Sequence, residues 1–129
     1  MAKPRLMRLD QLLNPILEGK YRLGPHVAKH MVQEGFSEAD LIGALRWGSE
    51  LAIYPEDQRM LVLGFITVSP RLQIPMHVIL EHRRLPQIDI VTAFLPRDPF
   101  KVYSRARVAA LLEPDRQNWR WTAPRLAGR

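Results

Sequence analysis

The sequence predicts an α+β fold: a curved antiparallel β-meander of three to four strands, a preceding helix pair packed on one face, and helices toward both ends. Two observations predict it. Three short apolar runs, Met60–Thr67, Ile74–Leu80 and Ile88–Phe94, follow one another with turn residues between them. They are rich in Val, Ile, Leu and Phe and too short to be separate buried helices. Their short connections require antiparallel neighbours, because a parallel pair needs a long crossover. The second observation is the stretch from Gly24 to Gly48, which is punctuated as two helices in tight succession.

In chain order, Leu6-Met7, Leu9, Leu12-Leu13 and Ile16-Leu17 recur at helical spacing, which predicts an amphipathic helix over residues 5–18 with Pro15 near its end. Residues 20–23 read as a short edge strand or an extended link. Pro25 then falls in a first helical turn, where its missing N–H costs nothing. Val27, Met31 and Val32 form the apolar stripe of a helix over 25–34, and Gly35 is placed to end it with a left-handed cap. Ser37 is an N-cap, with Glu38 and Asp40 in the first turn, where the helix dipole favours acids. That second helix spans 38–47, and Gly48 is read as its stop.

A short strand over 50–54 precedes the three runs. In the first run Val62 and Ile66 point one way, and Leu61, Leu63 and Phe65 the other. Both faces are apolar. Helices must therefore cover one, and the chain ends or a second copy must cover part of the other. After Phe94 the Leu-Pro-Arg-Asp-Pro step breaks the pattern, and Val102–Leu112 is a further helix. Residues 114–129, with Trp119 and Trp121 among arginines, are expected to be irregular, either docked by the tryptophans or partly disordered.

The 129 residues are expected to form a single domain, 1–129, with a core over 21–97, an N-terminal helix at 5–18 and a C-terminal helix and tail over 98–129. Cysteine is absent, which excludes disulfides, thiolate chemistry and Cys-based zinc sites. No signal-peptide core and no span-length apolar run is seen, so a cytoplasmic protein with no membrane partner is expected. The formal charge is +6. Residues 1–57 hold seven Lys/Arg against eight Asp/Glu, while residues 58–129 hold twelve against five. A basic half rich in Arg suits a phosphate backbone or an acidic protein.

No phosphate-binding glycine loop, nucleophile elbow or dinucleotide fingerprint is present, and no cofactor is expected. His26 and His30 share a helix face at the spacing of a metal-ligand pair, but Val27 replaces the Glu of the zincin motif and no acid lies between them. No metal site is therefore expected. The alternative for His26 is a surface or capping residue, or a neutral imidazole near a helix N-terminus. His77 sits mid-strand in apolar surroundings and must satisfy its ring nitrogens, either through a structural partner or in a concave face shared with Tyr54 or Thr92. Arg46 and Trp47 are placed to line the same mouth, although Trp47 suits the core better. Arg71, Arg83, Arg84 and Arg97 stand in or beside turns and can form one basic rim, joined by Lys101. The alternative is that each is a solvated turn residue.

The ordered set His26, Met31, Gly35-Phe36-Ser37-Glu38-Ala39-Asp40, Gly48, Tyr54-Pro55, Leu61-Val62-Leu63-Gly64, His77-Val78-Ile79 and Val91-Thr92-Ala93-Phe94-Leu95-Pro96 resembles a family of small bacterial domains over residues 21–97. That family is similar to the RelE and BrnT ribonuclease toxins of toxin–antitoxin pairs. The chain departs from it at His30, where the family has Arg, and at Phe94, where it has Tyr. The resemblance implies helices on a curved antiparallel sheet and RNA binding or cleavage as the activity. An acidic antitoxin or another protein partner follows from the same resemblance. The expected catalytic residues are His77, His26, Thr92 and Tyr54, with Arg46, Arg71, Arg83, Arg84, Arg97 and Lys101 on the nucleic acid. Cleavage through the RNA 2′-hydroxyl needs no metal. The competing expectation is a non-catalytic interaction or nucleic-acid-binding module, dimeric through its two-sided sheet.

Overall fold

The computed structural model describes residues 6–110 and 120–121. In chain order the elements are α1 (Leu9–Leu17), β1 (Tyr21–Leu23), α2 (Pro25–Glu34), α3 (Glu38–Arg46), β2 (Ser49–Tyr54), a 3-10 turn (Pro55–Asp57), β3 (Arg59–Ser69), β4 (Leu72–Arg84), β5 (Gln87–Phe94), α4 (Arg105–Ala110) and β6 (Arg120–Trp121). They form an α+β structure around a mixed sheet of order β2-β3-β4-β5-β1-β6.

Strands β2 to β5 are the antiparallel meander expected from the short connections. The residues before α2 form the expected short strand, but it does not extend the meander. β1 pairs parallel to β5, Tyr21 with Ile88 and Leu23 with Ile90, and the two-residue β6 pairs on its other side. The parallel pairing is possible because two helices and three strands separate β1 from β5 in the chain.

The helix pair follows its punctuation closely. Gly35 has φ of 75° and donates its N–H to the Met31 carbonyl. The Ser37 hydroxyl accepts from the Asp40 N–H while the Asp40 carboxylate accepts from the Ser37 N–H, a reciprocal capping box. Gly48 is not a stop with left-handed geometry. Its hydrogen is required because a Cβ there would lie 2.8 Å from both the Ala44 carbonyl and Val62. Gly64 is tighter still, with a Cβ position 2.3 Å from the Ala44 carbonyl oxygen. These two glycines let α3 lie directly on β3. Val32, assigned to the apolar stripe of α2, is 85% exposed; only Val27 is buried there.

Alternation divides the sheet as expected. Met60, Val62, Met76, Val78, Leu80, Ile88 and Ile90 pack under the helices with Leu12, Ile16, Leu41 and Leu45. Leu61, Ile79 and Val91 face the other way, where Tyr54, Tyr103 and Val108 join them. The second face is thus covered by the chain after β5. The helix expected over Val102–Leu112 is observed at Arg105–Ala110. The expectation for 114–129 lies outside the described residues, apart from the backbone pairing of β6. No helix among the described residues is long and apolar enough to cross a membrane.

Candidate functional site

Three elements bring chemistry-bearing rings together at one end of the sheet. Register places Phe94 of β5 opposite His77 of β4, and both project from the second face. Beyond Leu23, β1 ends and α2 runs on beside β5: the Gly24 N–H donates to the Ile90 carbonyl, and Glu34 accepts from the Leu95 N–H at 2.7 Å. This sets His30 of α2 against Phe94, with ring centres 6.0 Å apart. His77 meets Phe94 edge-on at 5.6 Å and Tyr103 at 5.7 Å.

His77 does not open onto a concave face. It is fully buried, and its Nε2–H donates to the Pro99 carbonyl at 2.6 Å. Nδ1 is buried without a partner. The reason is the strap of chain from Pro96 to Ser104, which folds back over the second face. Tyr54 anchors the same strap, its hydroxyl donating to the Tyr103 carbonyl at 2.6 Å, and Arg105 anchors it again through Asp57 at 2.7 Å. Burial raises the Tyr54 phenol above its ordinary pKa. Burial also raises Tyr103, opposed by the nearby Arg107 charge. Thr92 is buried opposite Ile79, one step along the same face. His77, Thr92 and Tyr54 therefore share a face, but all three are buried, His77 and Tyr54 bonded to the strap. His26 is half-buried in the first turn of α2, one turn before His30.

The basic residues do not form one rim. Successive turns of a meander lie at opposite ends, and β4 alone spans about 40 Å at about 3.3 Å per residue. Arg71, in the β3–β4 turn, is therefore a full strand away from Arg83 and Arg84 at the β4–β5 turn. Those two are also engaged. Glu81 and Asp89 face each other across the β4–β5 ladder, both buried. Glu81 binds Arg59 at 3.0 Å and Arg83 at 3.3 Å, while Asp89 binds Arg22 at 2.5 Å and lies 3.7 Å from Arg84. Arg46 and Trp47 lie on the helix side of the sheet, and so cannot line a mouth with His77. Trp47 is 81% exposed rather than core, with the Arg46 guanidinium over its ring.

Arg97 and Lys101 are on the strap, close to the ring cluster. The strap alternates cations with rings: Arg97, then Phe100 at 71% exposed, Lys101, and Tyr103 with Lys101 and Arg107 over its ring at 5.7 and 5.4 Å. The exposed Phe100 had no signal beyond its place between two prolines and a lysine. His30 was weighed only as a metal ligand with His26, and its pairing with Glu34 was missed. Its Nδ1 bonds Glu34 at 2.5 Å, and the signal was available as an i,i+4 His–Glu pair on one helix. Among the described residues no group of three or more His, Asp or Glu is arranged to hold a metal.

No family model matches this chain, and no curated protein or solved structure matches it.

Proposed function

We propose that the protein is RNA-directed and that its contact surface is the strap from Arg97 to Ser104 together with Arg107 at the start of α4. One observation carries this reading: the exposed cations Arg97 and Lys101 flank an exposed aromatic ring, Phe100, on the turn and loop that join β5 to α4. Cations follow a phosphate backbone, and ring faces stack on unpaired bases of any sequence. The burial of His77, Thr92 and Tyr54 supports binding, rather than catalysis by those three, in the conformation described. The resemblance to RelE and BrnT toxins points to the same class of ligand.

The experiment is binding and cleavage of a labelled mixed RNA pool by the purified protein at low and high salt, with and without EDTA. Binding that weakens steeply with salt supports the reading. Absence of binding at low salt overturns it and sends the basic half to an acidic protein partner, the antitoxin of the resemblance included.

A second reading is favoured by a separate observation. β2 stops at the Ser49–Leu63 pair, so β3 from Gly64 to Ser69 runs on with its outer edge unpaired among the described strands. That edge carries neither charge nor proline, the usual guards against edge pairing, and Phe65 and Val68 are exposed along it beside Trp47. A homodimer joined through this edge follows. Light scattering at micromolar concentration tests it: a dimer that Thr67→Lys dissociates supports the edge, and a monomeric wild type removes it.

A further inference from the structure

We infer that His30, oriented by Glu34, is the group that moves a proton in RNA cleavage at this surface, in place of the buried His77. The inference rests on the RNA-directed reading above.

The geometry is that of a prepared base. Glu34 is held at both oxygens: Oε1 accepts from the Leu95 N–H at 2.7 Å, and Oε2 accepts from His30 at 2.5 Å. Because a carboxylate only accepts, the proton in that contact sits on Nδ1 of the ring. In the neutral ring this leaves the lone pair on Nε2, to which no hydrogen bond is made among the described residues. The His30 side chain is 30% exposed, whereas His77 has no exposure at all. The ring rests on Phe94, which also touches Tyr103 of the strap. Arg97 follows three residues after Phe94 and is exposed. A nucleotide lying along the strap would therefore pass a cation and an oriented imidazole at the same strand end.

The step balances without an oxidant or reductant. Nε2 takes the proton of the RNA 2′-hydroxyl, and the 2′-oxygen forms a bond to phosphorus as the bond to the 5′-oxygen breaks. The leaving oxygen takes a proton from solvent. The products are a 2′,3′-cyclic phosphate and a 5′-hydroxyl, and His30 returns its proton to water. A bare helix-stabilising pair makes a different prediction, since an i,i+4 contact affects stability alone.

The test uses the full chain, a mixed RNA pool and the same pool 2′-O-methylated. The wild type is expected to cleave only the first, leaving cyclic phosphate ends. His30→Ala is expected to bind RNA within about twofold of wild type but to lose about 100-fold or more in turnover, the usual scale for one proton-transfer group, and to recover part of it with added imidazole. Glu34→Gln is expected to lower turnover without changing affinity. His30→Asn guards against a loss that comes only from the cavity. Cleavage that survives both His30 variants overturns the assignment. Salt-sensitive binding with no cleavage by wild type overturns it too, and leaves the RNA-directed reading standing. No binding at all overturns both.

Discussion

His77 and Pro99 are joined across the second face of the sheet by a hydrogen bond of 2.6 Å, from a fully buried imidazole to a strap carbonyl. The histidine therefore acts as a peg for the strap. His77→Phe keeps a ring against Phe94 and Tyr103 and loses one bond, so a cost of about 1 kcal/mol is expected. His77→Ala also opens a cavity, and about 3 kcal/mol is expected. Urea unfolding of the two variants checks the difference; equal costs would mean the ring packs on nothing.

Gly64 and Gly43 make an internal control. Gly64→Ala drives a methyl group into the backbone of Ala44, and a loss of about 2–4 kcal/mol is expected from overpacking against atoms that cannot rotate away. Gly43 lies inside α3 with nothing within 4 Å of its Cβ position. Gly43→Ala is therefore expected to stabilise by about 0.5–1 kcal/mol through helix propensity. Thermal melts of both variants should move in opposite directions.

Arg59 and Glu81 form a buried pair at 3.0 Å, with the Arg59 Nη1 nitrogen buried and unpartnered. Removing one partner strands a charge, so Glu81→Ala is expected to cost about 3–5 kcal/mol. Arg59→Met with Glu81→Leu removes both charges and should return most of that loss. Chemical denaturation of these two variants beside the wild type decides it. A double variant as unstable as the single one would show that Arg83, which also binds Glu81, is the partner that matters.

Tyr54 sets an alkaline limit. Its folded pKa is raised by burial above the ordinary phenol value of about 10. A raised folded pKa contributes stability that is complete below the unfolded pKa and is lost as pH climbs through the folded one. Stability is therefore expected to fall from about pH 10 upward. Tyr54→Phe cannot ionise there and should give a shallower fall, read as the unfolding midpoint against pH.

The RNA reading makes a positional prediction. Phe100→Ala is expected to weaken RNA binding by about 1–3 kcal/mol with little change in salt dependence, the mark of a lost stacking platform. Arg97→Ala and Lys101→Ala should each lower the salt slope by about 1. Arg83→Ala, at the other end of the sheet and tied to Glu81, should change neither. Filter binding across a salt series separates the three behaviours.

Local chemistry was legible in the residues. The caps of α2 and α3 were readable because Gly35 and Ser37 satisfy backbone groups within three or four residues of themselves. The two-sided apolar character of β3 was readable because side chains alternate with period two whatever the strand pairs with. Trp47 was misjudged as core because an aromatic ring carries no local mark of which side of a helix end it leaves from. Gly48 does stand where α3 stops, but without left-handed geometry; part of what requires glycine there is Val62, fourteen residues away, which no local pattern reveals.

The sequence alone determined the element types, the antiparallel meander and the helix pair, since each follows from backbone chemistry acting over a few residues. Tertiary structure alone decided that β1 joins parallel beside β5, that Glu81 and Asp89 hold Arg83 and Arg84, and that the strap closes over His77. Each of these depends on contacts between residues distant in the chain. The free energy of such contacts comes from burying surfaces and charges that no short stretch of sequence contains on its own.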